Sequence, residues 1–204
     1  MYLKNNIRRL LVYRQCLIKF KELGFEIVYS YNLGCEANVS PEQVRKDFSK
    51  FEIKEGRRKA GYKIDHLLES LDTIFKKDKD QNVILVGMGN IGKALSNYKG
   101  FAQHKIVICA AFDIDPSKQT KSYKIPVYPV ENISMIVKRH NVKIAIIAVP
   151  KSGAQEVCDR LIANDIQGII NFSPINLKHP KNVHINNIDL ANEMESLIYF
   201  TLNQ

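Results

Sequence analysis

The chain has 204 residues, enough for one large domain or two modest ones. Its content of 45% hydrophobic and 25% charged residues is that of a globular protein, and its longest apolar runs, such as residues 144–149, are too short to cross a bilayer. No apolar leader with a small-residue cleavage site opens the sequence, so a cytoplasmic location without a membrane partner is expected, and the net charge of +9 points toward a polyanionic partner.

In chain order, Ile7, Leu10, Leu11, Leu17 and Ile18 recur at helical spacing, and Gly24 is a natural stop. Ser30 is placed to cap a short second helix ending near Ala37. The stretch "NVSPEQVRKDFSKF" then carries three start signals for a third helix: Ser40 as N-cap, Pro41 at the first helical position and Glu42 in the first turn. Val44 and Phe48 face inward, which leaves Gln43, Arg45, Lys46 and Lys50 on other faces. This is the layout of a helix-turn-helix. Its second helix fits a major groove about 12 Å wide, where Arg and Lys suit guanine or phosphate and Gln suits adenine.

Next comes "EIKEGRRKAGYKI", in which β-type residues flank a basic turn. Such a hairpin predicts the wing of a winged helix, with Arg57, Arg58 and Lys59 on phosphates or in a minor groove. From Gln43 to Lys63 eight basic residues face three acidic ones, which fits a DNA-binding surface better than a merely solvated one once the helix spacing is added. A linking helix, "IDHLLESLDTI", and a charged junction near Lys76 to Gln81 place a domain boundary at about residue 79.

"VILVG" reads as a buried parallel strand. It runs into Gly87, Gly89 and Gly92 in the pattern G-x-G-x-x-G, followed by a helix-compatible stretch. Gly87 serves a tight turn, Gly89 a close backbone approach to pyrophosphate and Gly92 the packing of helix on strand. A second strand, "KIVICAAF", leads to Asp113, about twenty residues past the last glycine, where a carboxylate takes ribose hydroxyls and repels a 2′-phosphate. NADH or NAD⁺ is therefore expected rather than the phosphorylated cofactor. Further alternation follows: a strand at Val142 to Pro150, a helix from about Ser152 to Ala163 and a strand within Ile166 to Pro174. The expected fold class is α/β: a winged helix-turn-helix over 1–79, a Rossmann-type parallel sheet over 80–186 and a closing helix over 187–204. Cys16, Cys35, Cys109 and Cys158 are widely spaced, so reduced and mostly buried thiols and no metal site are expected.

What does not follow is a substrate domain or a positioned acid and base. His66, His104, His140, His179 and His184 sit in no recognisable catalytic context, so no enzyme is expected. The cofactor reads as a bound signal. Two alternatives are a regulator reading another nucleotide such as coenzyme A and a small NAD-dependent enzyme with a basic accessory domain.

The stretches "VSPEQVRKDFSKF", "GRRKAGY", "VGMGNIGKALSNYKGF", "FDIDP", "AVP", "GIINFSP" and "NNIDL", in that order, resemble the Rex family of redox-sensing bacterial transcriptional repressors along nearly the whole chain. The resemblance implies a homodimer on an AT-rich inverted repeat of double-stranded DNA that NADH releases, with a carboxy-terminal helix swapped between subunits. It implies cofactor contacts from Met88, Asn90, Ile91, Tyr98, Pro150 and Leu190 beside the glycines and Asp113. It also implies a switch built from Tyr98, Asp189 and a first-helix position that is Gln15 here. Gln15 stands where the family carries an arginine, Leu190 where an aromatic is common, and Glu52 and Lys59 where glycines flank the wing. From Asp189 to Leu202 the stripe Leu190, Met194, Leu197 and Ile198 predicts an amphipathic arm that needs a partner surface.

Overall fold

The computed structural model describes residues 2–53, 61–119 and 124–203. The chain divides into two compact units, Met1–Lys79 and Asp80–Gln204.

The first unit begins with α1 (Tyr2–Glu22), which ends just before Gly24 at φ +85°, and continues through β1 (Ile27–Val28), α2 (Ser30–Ala37), α3 (Pro41–Lys50), β2 (Tyr62–Lys63) and α4 (Ile64–Ile74). The backbone position before α2 is Tyr29, so Ser30 is the first helical residue and not its cap. The connection from α2 to α3 closes tightly: Val39 N–H donates to the Gly34 carbonyl, and a Cβ on Gly34 would lie 2.7 Å from Val39 O. Ser40 caps α3 as its sequence predicts, its side chain accepting from Gln43 N–H at 3.2 Å. β1 and β2 pair antiparallel, Val28 opposite Tyr62.

The core joins Leu10, Tyr13 and Leu17 of α1 to Leu33, Val44, Phe48, Leu67 and Leu71. The segment predicted as a linking helix is α4, and Ile64, Leu67 and Leu71 bury it in this core, so it is part of the domain's packing. Within the same core sits one buried charge that the hydrophobic pattern does not reveal. Asp47 of α3 is 1% exposed, and Arg9 of α1 grips it with both arms, at 2.6 and 2.7 Å. Tyr13 O–H and the Gln43 amide donate to it at 2.9 Å each.

The second unit is a six-stranded sheet: β3 (Gln81–Val86), β4 (Ile106–Phe112), β5 (Val127–Tyr128), β6 (Ile144–Ile147), β7 (Gly168–Asn171) and β8 (His184–Asn187). Its order is β5-β4-β3-β6-β7-β8 and every pairing is parallel. This is the doubly wound order 3-2-1-4-5-6 of Rossmann sheets, counted within the unit. The helices are α5 (Asn90–Ser96), α6 (Gly100–Gln103), α7 (Ile133–His140), α8 (Lys151–Ala163) and α9 (Leu190–Leu202). Alternation along β3 assigns the faces. Ile84 and Val86 pack with Ile136 of α7 and Leu161 of α8, whereas Val83 and Leu85 pack with Leu95 and Phe101 on the α5 and α6 side. β8 escapes a reading by pattern because "HINN" is polar and mostly exposed at the sheet edge.

Of the cysteines, Cys16 and Cys158 are buried, Cys109 is partly so and Cys35 is exposed. Burial pushes the Cys158 thiol up to about 11, so it stays protonated at neutral pH.

Burial raises the pKa of Asp47, but the hydrogen bonds from Arg9, Tyr13 and Gln43 outweigh it and leave the carboxyl below its ordinary value. The stabilisation is therefore complete above the unfolded carboxyl's pKa of about 4 and disappears as pH falls through the lower folded value. Asp47→Ala, which strands the Arg9 guanidinium, should cost the first unit about 3–5 kcal/mol in urea denaturation at neutral pH. The gap between variant and unaltered protein should close as the pH is lowered below about 4.

Candidate functional site

The sheet changes direction between β3 and β6: from that point one half winds toward β5 and the other toward β8. In open parallel sheets the crevice outside the carboxyl ends at such a point is where ligands bind. Here it is a cleft of about 430 Å³, within the range of small-molecule sites. Gly87, Gly89, Asp113 and Pro150 all line it. Ile114, Val130, Ile133, Val149 and Val157 supply an apolar wall suited to a flat ring, and Lys118, Glu156 and Arg160 supply charge.

The glycine loop is fixed by close contacts. Gly87 has φ +102°, and a Cβ there would lie 2.4 Å from the Ala148 carbonyl at the end of β6. A Cβ on Gly92 would lie 1.9 Å from Gly87 O, so α5 approaches the loop closer than any side chain allows. Gly89 differs: nothing lies within 4 Å of its added Cβ. Its position faces open space, which is what a backbone kept bare for a ligand requires. The residues present thus fit a dinucleotide: a bare Gly89 at one end, an apolar wall and a carboxylate at the other.

Several predicted residues take other places. The Met88 side chain is fully buried under the sheet with Val83, Leu85 and Ile108, so only its backbone is offered to the cleft side. Its N–H donates to Asp113 Oδ2 at 2.7 Å, and Asp113 Oδ1 accepts from Asp115 N–H at 2.9 Å. Asp113, expected as a ribose ligand, is also the strap between the end of β4 and the glycine loop. Asn90 and Ile91 are exposed on the first turn of α5. Tyr98 is 61% exposed and stacks edge-on against Phe101, with ring centroids 5.1 Å apart. Asp189 caps α9, accepting from Ala191 N–H at 3.0 Å and Asn192 N–H at 3.2 Å, and Leu190 follows it exposed. Gln15 is exposed on α1, and the neighbouring Arg14 is bonded to Asp72 of α4 and so is not a substitute for an arginine at position 15.

On the recognition helix, Ser40, Arg45, Lys46 and Lys50 are exposed. Lys46 and Lys50 make no ion pair with the described residues, while Arg45 donates to Ser30 Oγ at 2.9 Å and Glu42 at 2.6 Å. Gln43, predicted to reach a base edge, turns its amide onto Asp47 instead. Arg57, Arg58 and Lys59 lie outside the described residues. Sequence reasoning missed Lys118 and Arg160, which no motif marks, and Asp47, whose only signal is an acid at the i+3 position from an inward Val44.

Comparison with known proteins decides what this arrangement belongs to. A family model described as "CoA binding domain" matches residues 78–175, and one described as "Putative DNA-binding protein N-terminus" matches residues 4–49. The redox-sensing transcriptional repressor Rex of Listeria welshimeri is 38% identical over 96% of this chain and 91% of its own. That of Brevibacillus brevis is 35% identical over 95% of this chain and 94% of its own. The chain belongs to the Rex family of redox-sensing transcriptional repressors. A solved Rex-family structure, RSP in complex with β-NAD⁺ and operator DNA, has a TM-score of 0.91 at 31% identity and covers 97% of this chain and 91% of that one. RSP with β-NADH has a TM-score of 0.84 at 31% identity, covering 97% and 93%. Rex proteins are named regulators, and the chain is accordingly a repressor and not an enzyme. Among the described residues no helix is long and apolar enough to cross a membrane.

Gly92→Ala must displace either the Gly87 carbonyl or the start of α5. It should destabilise the second unit by about 1–3 kcal/mol, read as an earlier transition for that unit in chemical unfolding.

Proposed function

We propose that this Rex-family chain acts in the cytoplasm as a homodimer that binds an inverted-repeat operator through α3 and the basic segment 54–63, and that NADH in the switch-point cleft releases the DNA. The observation that carries this is the glycine loop at the reversal of the sheet, with an open Gly89 and Asp113 at the two ends of one cleft, on the same chain as a helix-turn-helix. The solved relatives bound to β-NAD⁺ with operator DNA and to β-NADH support it.

The division of labour on α3 follows from its hydrogen bonds. Asp47 holds the helix against α1 and engages the Gln43 amide, while Ser40, Lys46 and Lys50 remain for the duplex. Arg45 reaches DNA only by exchanging Glu42 and Ser30 for phosphate or guanine. Bound nucleotide supplies no chemistry to the DNA. It favours one arrangement of the subunits over another. Two recognition helices must stand about 34 Å apart to enter successive grooves, so a modest rotation between subunits breaks register. A preference of about 1–3 kcal/mol for one arrangement changes operator affinity by roughly 5- to 150-fold.

The dimer seam is assigned to α9. Leu190, Met194, Leu197 and Ile198 form the predicted stripe, but Tyr199, Phe200 and Leu202 extend apolar surface around the helix, and every described side chain on it is exposed. A helix apolar on several sides needs burial on several sides, as an arm inserted into a partner has.

A gel shift with a labelled AT-rich inverted repeat tests the proposal. NADH should release the DNA at submicromolar concentration, while NAD⁺, NADPH and coenzyme A should not do so at the same concentration. A complex indifferent to NADH, or one that coenzyme A releases instead, would overturn it. On the operator side, Lys46→Ala and Lys50→Ala should each weaken binding across sequences and lower the salt slope by about 1.

A further inference from the structure

The carboxyl end of β4 carries an acid–base cluster in which Asp115 and Lys118 join Asp113. Asp115 follows Asp113 by two residues and caps the short turn Pro116–Lys118, its Oδ1 accepting from the Ser117 N–H at 2.9 Å and hydroxyl at 2.7 Å. Lys118 closes that turn. Its Nζ lies 3.4 Å from Asp113 Oδ2 and 3.7 Å from Asp115 Oδ2, and its side chain is 31% exposed. Asp113, Asp115 and Lys118 line the same cleft. The other charged groups lining it, Glu156 and Arg160 of α8, face each other at 3.6 Å.

A carboxylate at the end of the second strand of such a sheet meets the adenosine ribose and repels a 2′-phosphate there. The repulsion depends on the net charge of the corner and not on one carboxylate alone. Two carboxylates here share a single ammonium that touches both. A ribose diol donates hydrogen bonds to a carboxylate and has no need of a cation. A 2′-phosphate would be held off by the acids and drawn by the lysine, at separations where a partly buried pair is screened only in part.

We infer that Lys118 is a specificity residue: by neutralising part of the Asp113–Asp115 charge it sets how strongly the cleft discriminates against dinucleotides that carry a 2′-phosphate. The inference rests on the nucleotide reading of the cleft. It makes the discrimination a balance that two substitutions move in opposite directions. Lys118→Met keeps the apolar stem and removes the charge. Asp115→Asn removes one acid and keeps a good capping side chain for the turn.

Calorimetric titration of the full-length protein and both variants with NADH and with NADPH tests this. Lys118→Met should raise the ratio of the NADPH to the NADH dissociation constant by about tenfold, the worth of one charge-assisted contact, whatever it does to NADH affinity itself. Asp115→Asn should lower that ratio several-fold. Both changes should shrink in high salt. A ratio that neither variant moves, or that moves in the opposite sense, while NADH still binds, would overturn this inference alone. Failure of the unaltered protein to bind NADH would overturn the nucleotide reading and this inference together.

Discussion

The nucleotide half of the molecule depends on backbones packed too closely for side chains: the carbonyl of Gly87 lies where a side chain on position 92 would have to be, and the Ala148 carbonyl lies where one on position 87 would be. Three backbones meet there, from the end of β3, the start of α5 and the end of β6. Only residues without a Cβ permit it, and the meeting of β3 with β6 is what opens the crevice at the sheet's reversal. The strap from Asp113 to Met88 N–H draws the end of β4 into the same assembly. A carboxylate that holds the loop is thereby also part of the surface the loop presents. Shape and charge at this edge are set by the same residue.

The DNA-binding half solves a different problem. A recognition helix must show cations to a polyanion and still be held at a fixed angle. In α3 the holding is electrostatic as well as apolar. Asp47 is buried against α1, and a bidentate arginine is the partner that can satisfy both of its oxygens in a fixed plane. Tyr13 contributes twice, donating to Asp47 and packing edge-on against Phe48 at 5.7 Å. The network fixes the roll of the helix, and so decides that Lys46 and Lys50 face outward while Gln43 does not.

The carboxy-terminal helix belongs to neither core. Asp189 gives it a firm start, and its apolar residues then lie in solvent within a single chain. Asp189 caps the helix by accepting from the Ala191 and Asn192 N–H groups, a task that needs no arginine.

Much was legible in the sequence because its signals are local. Ser40, Pro41 and Glu42 announced α3; the three glycines, between a β-branched run and a helix, announced the loop; and "FDID" announced the end of the second strand. These patterns reflect backbone conformation and one-residue sterics, which neighbouring residues dictate. The polar edge strand β8 and the core role of α4 were not legible, because both depend on which distant segment lies alongside. The same holds for Asp47, which helical spacing sets one turn from Gln43 but which only the approach of Arg9 and Tyr13 from α1 buries in a bonded network. Lys118 is the clearest case. By itself it is a lysine three residues past Asp115, and only the fold sets this local cluster on the cleft that the glycine loop lines. What the sequence alone determined was the set of elements and the chemistry they could carry; which charges meet was decided by tertiary structure, because Coulomb energy depends on distances that chain order does not encode.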